Sequence, residues 1–113
     1  MVAGRLTVEV VSLRGGEHRA GLLDKADPYV RLTLHDGQLD QGRHHVGESV
    51  RTNTKNNAGG NADFNESFML NKPENMDVLR VEVLDDDTMR DDKQGWVDVD
   101  LDEVYRAGHD HWI

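Results

Sequence analysis

The sequence predicts an all-β fold, an antiparallel β-sandwich, on three observations. Apolar residues recur at every second position in one segment after another, those segments are short, and the stretches between them are polar and glycine-rich. A period of two puts alternate side chains on one face of a strand, so each segment offers one face to a core and the other to solvent. Six or seven short strands separated by turn residues are the pattern of a sandwich, not of βαβ units. A chain of 113 residues supports one domain. Only 36% of it is hydrophobic, so its core depends on how well those residues alternate.

In the first element Leu6, Val8 and Val10 share a face, with Thr7 and Glu9 on the other. "RGGEHRAG" (14–21) is a turn-rich connection. After Asp27 and Pro28 a clean strand alternates Val30, Leu32 and Leu34 with Arg31, Thr33 and His35, and "HDGQLDQG" (35–42) ends it. "HHVGESVRTNT" (44–54) is a weaker strand interrupted by Gly47, and "NNAGGNA" (56–62) leads out of it. "DFNESFML" (63–70) places Phe64, Phe68 and Leu70 on one face. Leu79, Val81 and Val83 then alternate with Arg80 and Glu82, and Val97, Val99 and Leu101 with Asp98, Asp100 and Asp102. "LDEVYRAG" (101–108) suits a short helical turn, and His109 to Ile113 begin a further short strand. Trp96 and Trp112 read as core or rim packing.

The charge balance narrows the function. With 22 acidic against 13 basic residues the formal net charge is -9, so there is no basic footprint to neutralise nucleic-acid phosphates. The same excess opposes adsorption to an anionic membrane unless something cancels it first. No cysteine is present, which excludes disulfides and thiolate metal sites and suits a reducing compartment. No apolar run approaches the roughly 20 residues of a membrane span, and "MVAGRLTVEV" lacks the basic and apolar regions of a signal peptide. The expected setting is cytoplasmic. Nucleophilic catalysis has no motif to rest on, so the chain does not read as an enzyme. His44 and His45, and His109 and His111, read as exposed polar positions in preference to a transition-metal site.

The acidic residues are not spread evenly. "LDDDTMRDDKQGW" (84–96) packs Asp85, Asp86, Asp87, Asp91 and Asp92 into eight positions between two strands. Such a loop repels itself, and the repulsion becomes useful where a hard cation is held. Calcium takes six to eight oxygen ligands and tolerates irregular geometry, so side chains here together with the Asp86 carbonyl suit it. Solvated surface charge is the plain alternative. An EF-hand is excluded: Met89, Arg90 and Trp96 stand where that loop needs an oxygen donor, glycine and glutamate. Loops of a sandwich cluster at its ends, so Asp27, at the head of another strand, is placed to converge on this loop.

Taken together the segments resemble the C2 domain family over nearly the whole chain. The matching pieces are "GRLTVEVVSL", "DPYVRLTL", "TKNNAGGNADFNESFML" and "LRVEVLDDDTMRDDKQG", the third carrying the aromatic-Asn-Glu-x-Phe signature at Phe64, Asn65, Glu66 and Phe68. The resemblance implies a C2-type sandwich of seven to eight strands with its ligand loops at one end. It implies calcium ligands at Asp27 in the first loop and at Asp85, Asp87 and Asp92 in the third, with Asp86, Asp24 and Asp91 as further candidates. Two departures stand out. The family's usual first-loop aspartate, six positions before Asp27, is Gly21 here, and the third loop is one residue short, so Asp91 and Asp92 compete for one role.

The family's logic implies calcium-dependent association with anionic phospholipid: bound Ca²⁺ reverses the local field and leaves coordination open to a lipid phosphate. Leu22, Leu23 and Met89 are the apolar tip residues for shallow insertion, with Arg90 beside them for phosphate. A sparse basic patch of Arg43, Arg51 and Lys55 is the counterpart of a phosphoinositide site, with ordinary strand-face charge as its alternative. The second functional reading is a calcium-independent C2 scaffold for protein partners. The family usually has eight strands and this sequence gives fewer, so the chain reads as a single C2 domain lacking one edge strand, a fragment of a longer protein or a former of homodimers through the open edge.

Overall fold

The computed structural model describes residues 2–14, 27–39, 46–56, 58, 61–86 and 92–106, and for 92–94 the backbone alone. Among these residues the chain forms six strands and one short helix: β1 (Gly4–Leu13), β2 (Pro28–His35), β3 (Val46–Arg51), β4 (Ala62–Lys72), β5 (Val78–Asp85), β6 (Asp92–Asp100) and α1 (Leu101–Arg106). All pairings are antiparallel. β1 pairs with β4, and the other four strands form a sheet in the order β3-β2-β5-β6. The weaker strand interrupted by Gly47 is β3, and the short helical turn is α1. The expected strand at His109 to Ile113 lies outside the described residues.

The two sheets meet through the alternating apolar faces. Val30, Leu32 and Leu34 of β2, Phe64 and Leu70 of β4, Leu79 of β5 and Leu101 of α1 form the buried centre, and Leu6, Val8, Val10 and Phe68 pack against it. Apolar faces of two sheets can only escape water by covering each other, which is what joins β1–β4 to the larger sheet. Leu101 shows the alternation ending: it is buried, but as the first residue of α1, after Asp100 has accepted the Asp102 N–H at 3.0 Å as an N-cap.

The alternation holds less well on the outer face of the larger sheet. Arg80, Glu82 and His35 are 3%, 4% and 1% exposed, although each stands on the polar side of its strand. Their neighbours cover and pair them. Arg80 Nε and Nη2 each donate to Asp98 at 2.9 Å while Trp96 lies over the guanidinium, 4.1 Å from its ring centroid. Arg31 Nε donates to Glu82 at 3.0 Å. His35 Nδ1 accepts the Gly37 N–H at 3.0 Å, so Nε2 carries the proton that reaches Asp98 at 3.2 Å. Gly37 makes that turn with φ 94°, a conformation open to glycine. Trp96, read from sequence as core or rim, is half exposed and serves as a lid on Arg80.

The Phe64-Asn65-Glu66 signature has a local physical cause. Register between β1 and β4 slips between Val10 and Ser12, opposite this segment, and Asn65 takes φ 51°. A bulge with one left-handed residue keeps Phe64 in the core while it re-aims Glu66. The Glu66 carboxylate then accepts the Asn53 N–H at 3.0 Å and ties β4 to the segment leaving β3.

Candidate metal centre

Three chain segments meet at one end of the four-stranded sheet. The register pairs Pro28 with Asp85 and Asp85 with Asp92, so the ends of β2, β5 and β6 stand side by side with Asp27 just before them. Two hydrogen bonds close the arrangement. The Asp27 N–H donates to Asp85 Oδ1 at 3.0 Å, and the Asp86 N–H donates to the Asp27 carbonyl at 2.9 Å. Asp27, Asp85 and Asp86 are all partly buried. The Asp27 backbone and the Asp85 carboxylate therefore meet at this end of the sheet.

Asp86 faces a different way from the role given to its carbonyl. Its carboxylate accepts the Thr54 hydroxyl at 2.6 Å and stands 3.7 Å from Arg51 Nη2. The segment after β3 is held in place by further bonds: Thr52 N–H to the Val30 carbonyl at 2.9 Å, Lys55 N–H to the Pro28 carbonyl at 3.0 Å, and the Val30 N–H to Thr52 Oγ1 at 3.0 Å. Thr54 thus sits beside the acidic loop, a contact the sequence does not signal because 32 residues separate it from Asp86.

Other expected site residues fall where the structure says less. Asp92 opens β6 opposite Asp85, but its side chain is outside the description. Asp24, Asp87, Asp91, Leu22, Leu23, Met89, Arg90 and Arg43 lie outside the described residues. Of the basic patch, Arg51 and Lys55 are described, and Arg51 is engaged locally: it stacks over Tyr29 at 3.5 Å from the ring centroid.

The donor chemistry fits a hard cation in part. Asp85 brings a carboxylate oxygen to the Asp27 backbone at a strand end, and both residues carry the ligand type calcium prefers. Among the described residues no group of three His, Cys, Asp or Glu side chains is placed to hold a metal.

Within the larger sheet a clear shift in acidity belongs to Asp98, away from the loops. The hydrogen bonds from Arg80 hold its carboxyl below the usual value, burial works against them, and the bond from His35 adds to the lowering.

Comparison with known proteins follows the same lines. The C2 domain family model matches residues 4–113. Among solved structures, a C2 domain-containing protein is 28% identical, with 94% of this chain and 70% of that one covered at a TM-score of 0.70. A C2 domain of a plant extended synaptotagmin 1 is 25% identical over 88% of this chain and 70% of that one, with a TM-score of 0.65. Human GIVD cytosolic phospholipase A2, in complex with a fluorophosphonate inhibitor and terbium chloride, is 28% identical over 91% of this chain but 14% of its own, with a TM-score of 0.62. No curated protein matches the chain.

Proposed function

The chain belongs to the C2 domain family, and from that premise we propose that it is a calcium-binding module that associates with anionic phospholipid membranes. The observation that supports the reading is the hydrogen bond from the Asp27 backbone N–H to the Asp85 carboxylate, which joins two aspartate-bearing segments, distant in sequence, at one end of the sheet. Asp27 and Asp85 would hold the ion with Asp87 and Asp92, and Asp24, Asp91 and the Asp86 carbonyl are the further donors. Bound calcium supplies positive charge and a coordination position for a phosphate oxygen. The chain's own part is to gather the carboxylates, to offer Leu22, Leu23 and Met89 as apolar tips, and to place Arg90 beside a lipid phosphate. No helix among the described residues is long and apolar enough to cross a membrane, and the proposed association is peripheral, from the cytoplasmic side.

Two features support a second reading, a calcium-independent scaffold for protein partners. Gly21 stands where the family has a ligand, and the Asp86 carboxylate is committed to Thr54 and Arg51. A second copy paired along an open sheet edge is the form of self-association this reading allows, and a strict monomer by light scattering counts against it.

The deciding experiment is a thermal melt in excess calcium, in magnesium and in chelator. Ligand at about 100 times its dissociation constant adds ~2.7 kcal/mol, on the order of 10 °C for a domain of this size. A calcium-specific rise, followed by calcium-dependent sedimentation with phosphatidylserine vesicles, supports the first reading. No rise at millimolar calcium leaves the scaffold reading.

A further inference from the structure

Arg51 has a setting that the sequence grouping with Arg43 and Lys55 does not suggest. Its guanidinium lies over the Tyr29 ring. Nε donates to the Thr52 carbonyl at 3.1 Å, and Nη2 donates to Thr54 Oγ1 at 2.7 Å. Thr54 passes the chain on, donating to the same Asp86 oxygen that stands 3.7 Å from Nη2. Stack and hydrogen bonds together fix one permanent positive charge against the acidic loop.

We infer that Arg51 is a tethered counter-ion of the cation loops: it offsets the repulsion between Asp85 and Asp86 when no cation is bound, and it opposes a cation that arrives. The inference rests on the calcium reading above. A guanidinium is pre-organised by its planar fork, and the stack on Tyr29 and the bond to Thr54 hold this one in place. The same charge that stabilises the carboxylates alone raises the energy of the state in which a dication joins them. Arg51 and Asp86 side chains are 44% and 41% exposed, so solvent screens the interaction, its size is modest, and added salt weakens it.

Calcium affinity measured by titration calorimetry on the wild type, Arg51→Gln and Arg51→Lys, at low and high salt, tests the idea, with melts in chelator alongside. Arg51→Gln is expected to bind calcium about threefold to tenfold more tightly at low salt, with the gain shrinking at high salt and a lower melting temperature in chelator. Arg51→Lys keeps the charge and is expected to stay near the wild-type affinity. Arg51→Met, whose unbranched stem still covers Tyr29, repeats the charge deletion should glutamine not be tolerated. Unchanged or weaker calcium binding in the neutral variants overturns the inference while the calcium reading stands. Lost vesicle sedimentation at unchanged calcium affinity overturns it too, and makes Arg51 a lipid contact. A wild type that binds no calcium removes the reading and the inference together.

Discussion

Asp27 and Asp85 are 58 positions apart in the chain and joined in the fold, the N–H of one donating to a carboxylate oxygen of the other at 3.0 Å. The Asp85 carboxylate holds the first loop to the third, and in the proposed function it would also offer charge to a cation. Asparagine at position 85 separates the two roles, because its amide oxygen still accepts the Asp27 N–H. Asp85→Asn is expected to melt within about 1 kcal/mol of the wild type in chelator and to lose most of the calcium-dependent rise. Asp85→Ala also removes the carboxylate acceptor of the Asp27 N–H and is expected to cost about 1–3 kcal/mol without any metal. Scanning calorimetry with and without calcium reads both. A full calcium response in Asp85→Asn would remove Asp85 from the ligand set.

Asn65 holds φ at 51° inside β4, in the left-handed region that asparagine and glycine tolerate and β-branched residues resist. Asn65→Gly is expected to leave stability nearly unchanged, and Asn65→Val to lower it by about 1–2 kcal/mol. Urea unfolding of the two variants measures the difference. Equal losses in both would show that the asparagine side chain, not its backbone, is what matters at this bulge.

The strands were legible because their cause is local. Val30, Leu32 and Leu34 announce a face by spacing alone, and the structure buries all three. The outer face was harder, since Arg80 and Glu82 alternate as solvent residues should and yet are buried by Trp96, Asp98 and Arg31, partners from other strands. Spacing within one strand carries no information about which charges lie opposite. The same holds at the candidate site: Asp27 and Asp85 could be matched through the family's loop pattern, whereas the Thr54–Asp86 bond depends on how the segment after β3 lies against β2.

Gly47 interrupts the apolar pattern of β3, and the structure supplies a reason. A Cβ there would come within 2.7 Å of Met76 Sδ and 3.2 Å of Leu34 Cβ. The thioether is flexible and can move, but Leu34 is fully buried and cannot. Gly47→Ala is expected to destabilise by about 1–3 kcal/mol as an overpacked site. Because the Met76 clash is the closer, adding Met76→Ala is expected to recover part of the loss relative to the sum of the two single variants. Strict additivity in a double-mutant cycle would mean that the two side chains do not compete for this space.

Asp98 ties the outer face to acid stability. The hydrogen bonds from Arg80, opposed by burial and helped by His35, lower its folded-state pKa below the ordinary 3.8. A carboxyl whose pKa is depressed on folding contributes stability that is complete above its unfolded value and is lost as pH falls through the folded one. Its share is therefore present at pH 7 and fades below about pH 4. Asp98→Asn lacks that share at every pH and leaves the buried Arg80 short of a countercharge, so it is expected to be less stable than the wild type by about 1–3 kcal/mol at neutral pH. The gap between the two proteins should narrow as acid protonates Asp98, while all other carboxyls titrate alike in both. Urea melts of the pair at about pH 7 and about pH 3 check this. A gap of undiminished size in acid would assign the loss to packing and not to the ionised Asp98–Arg80 pair.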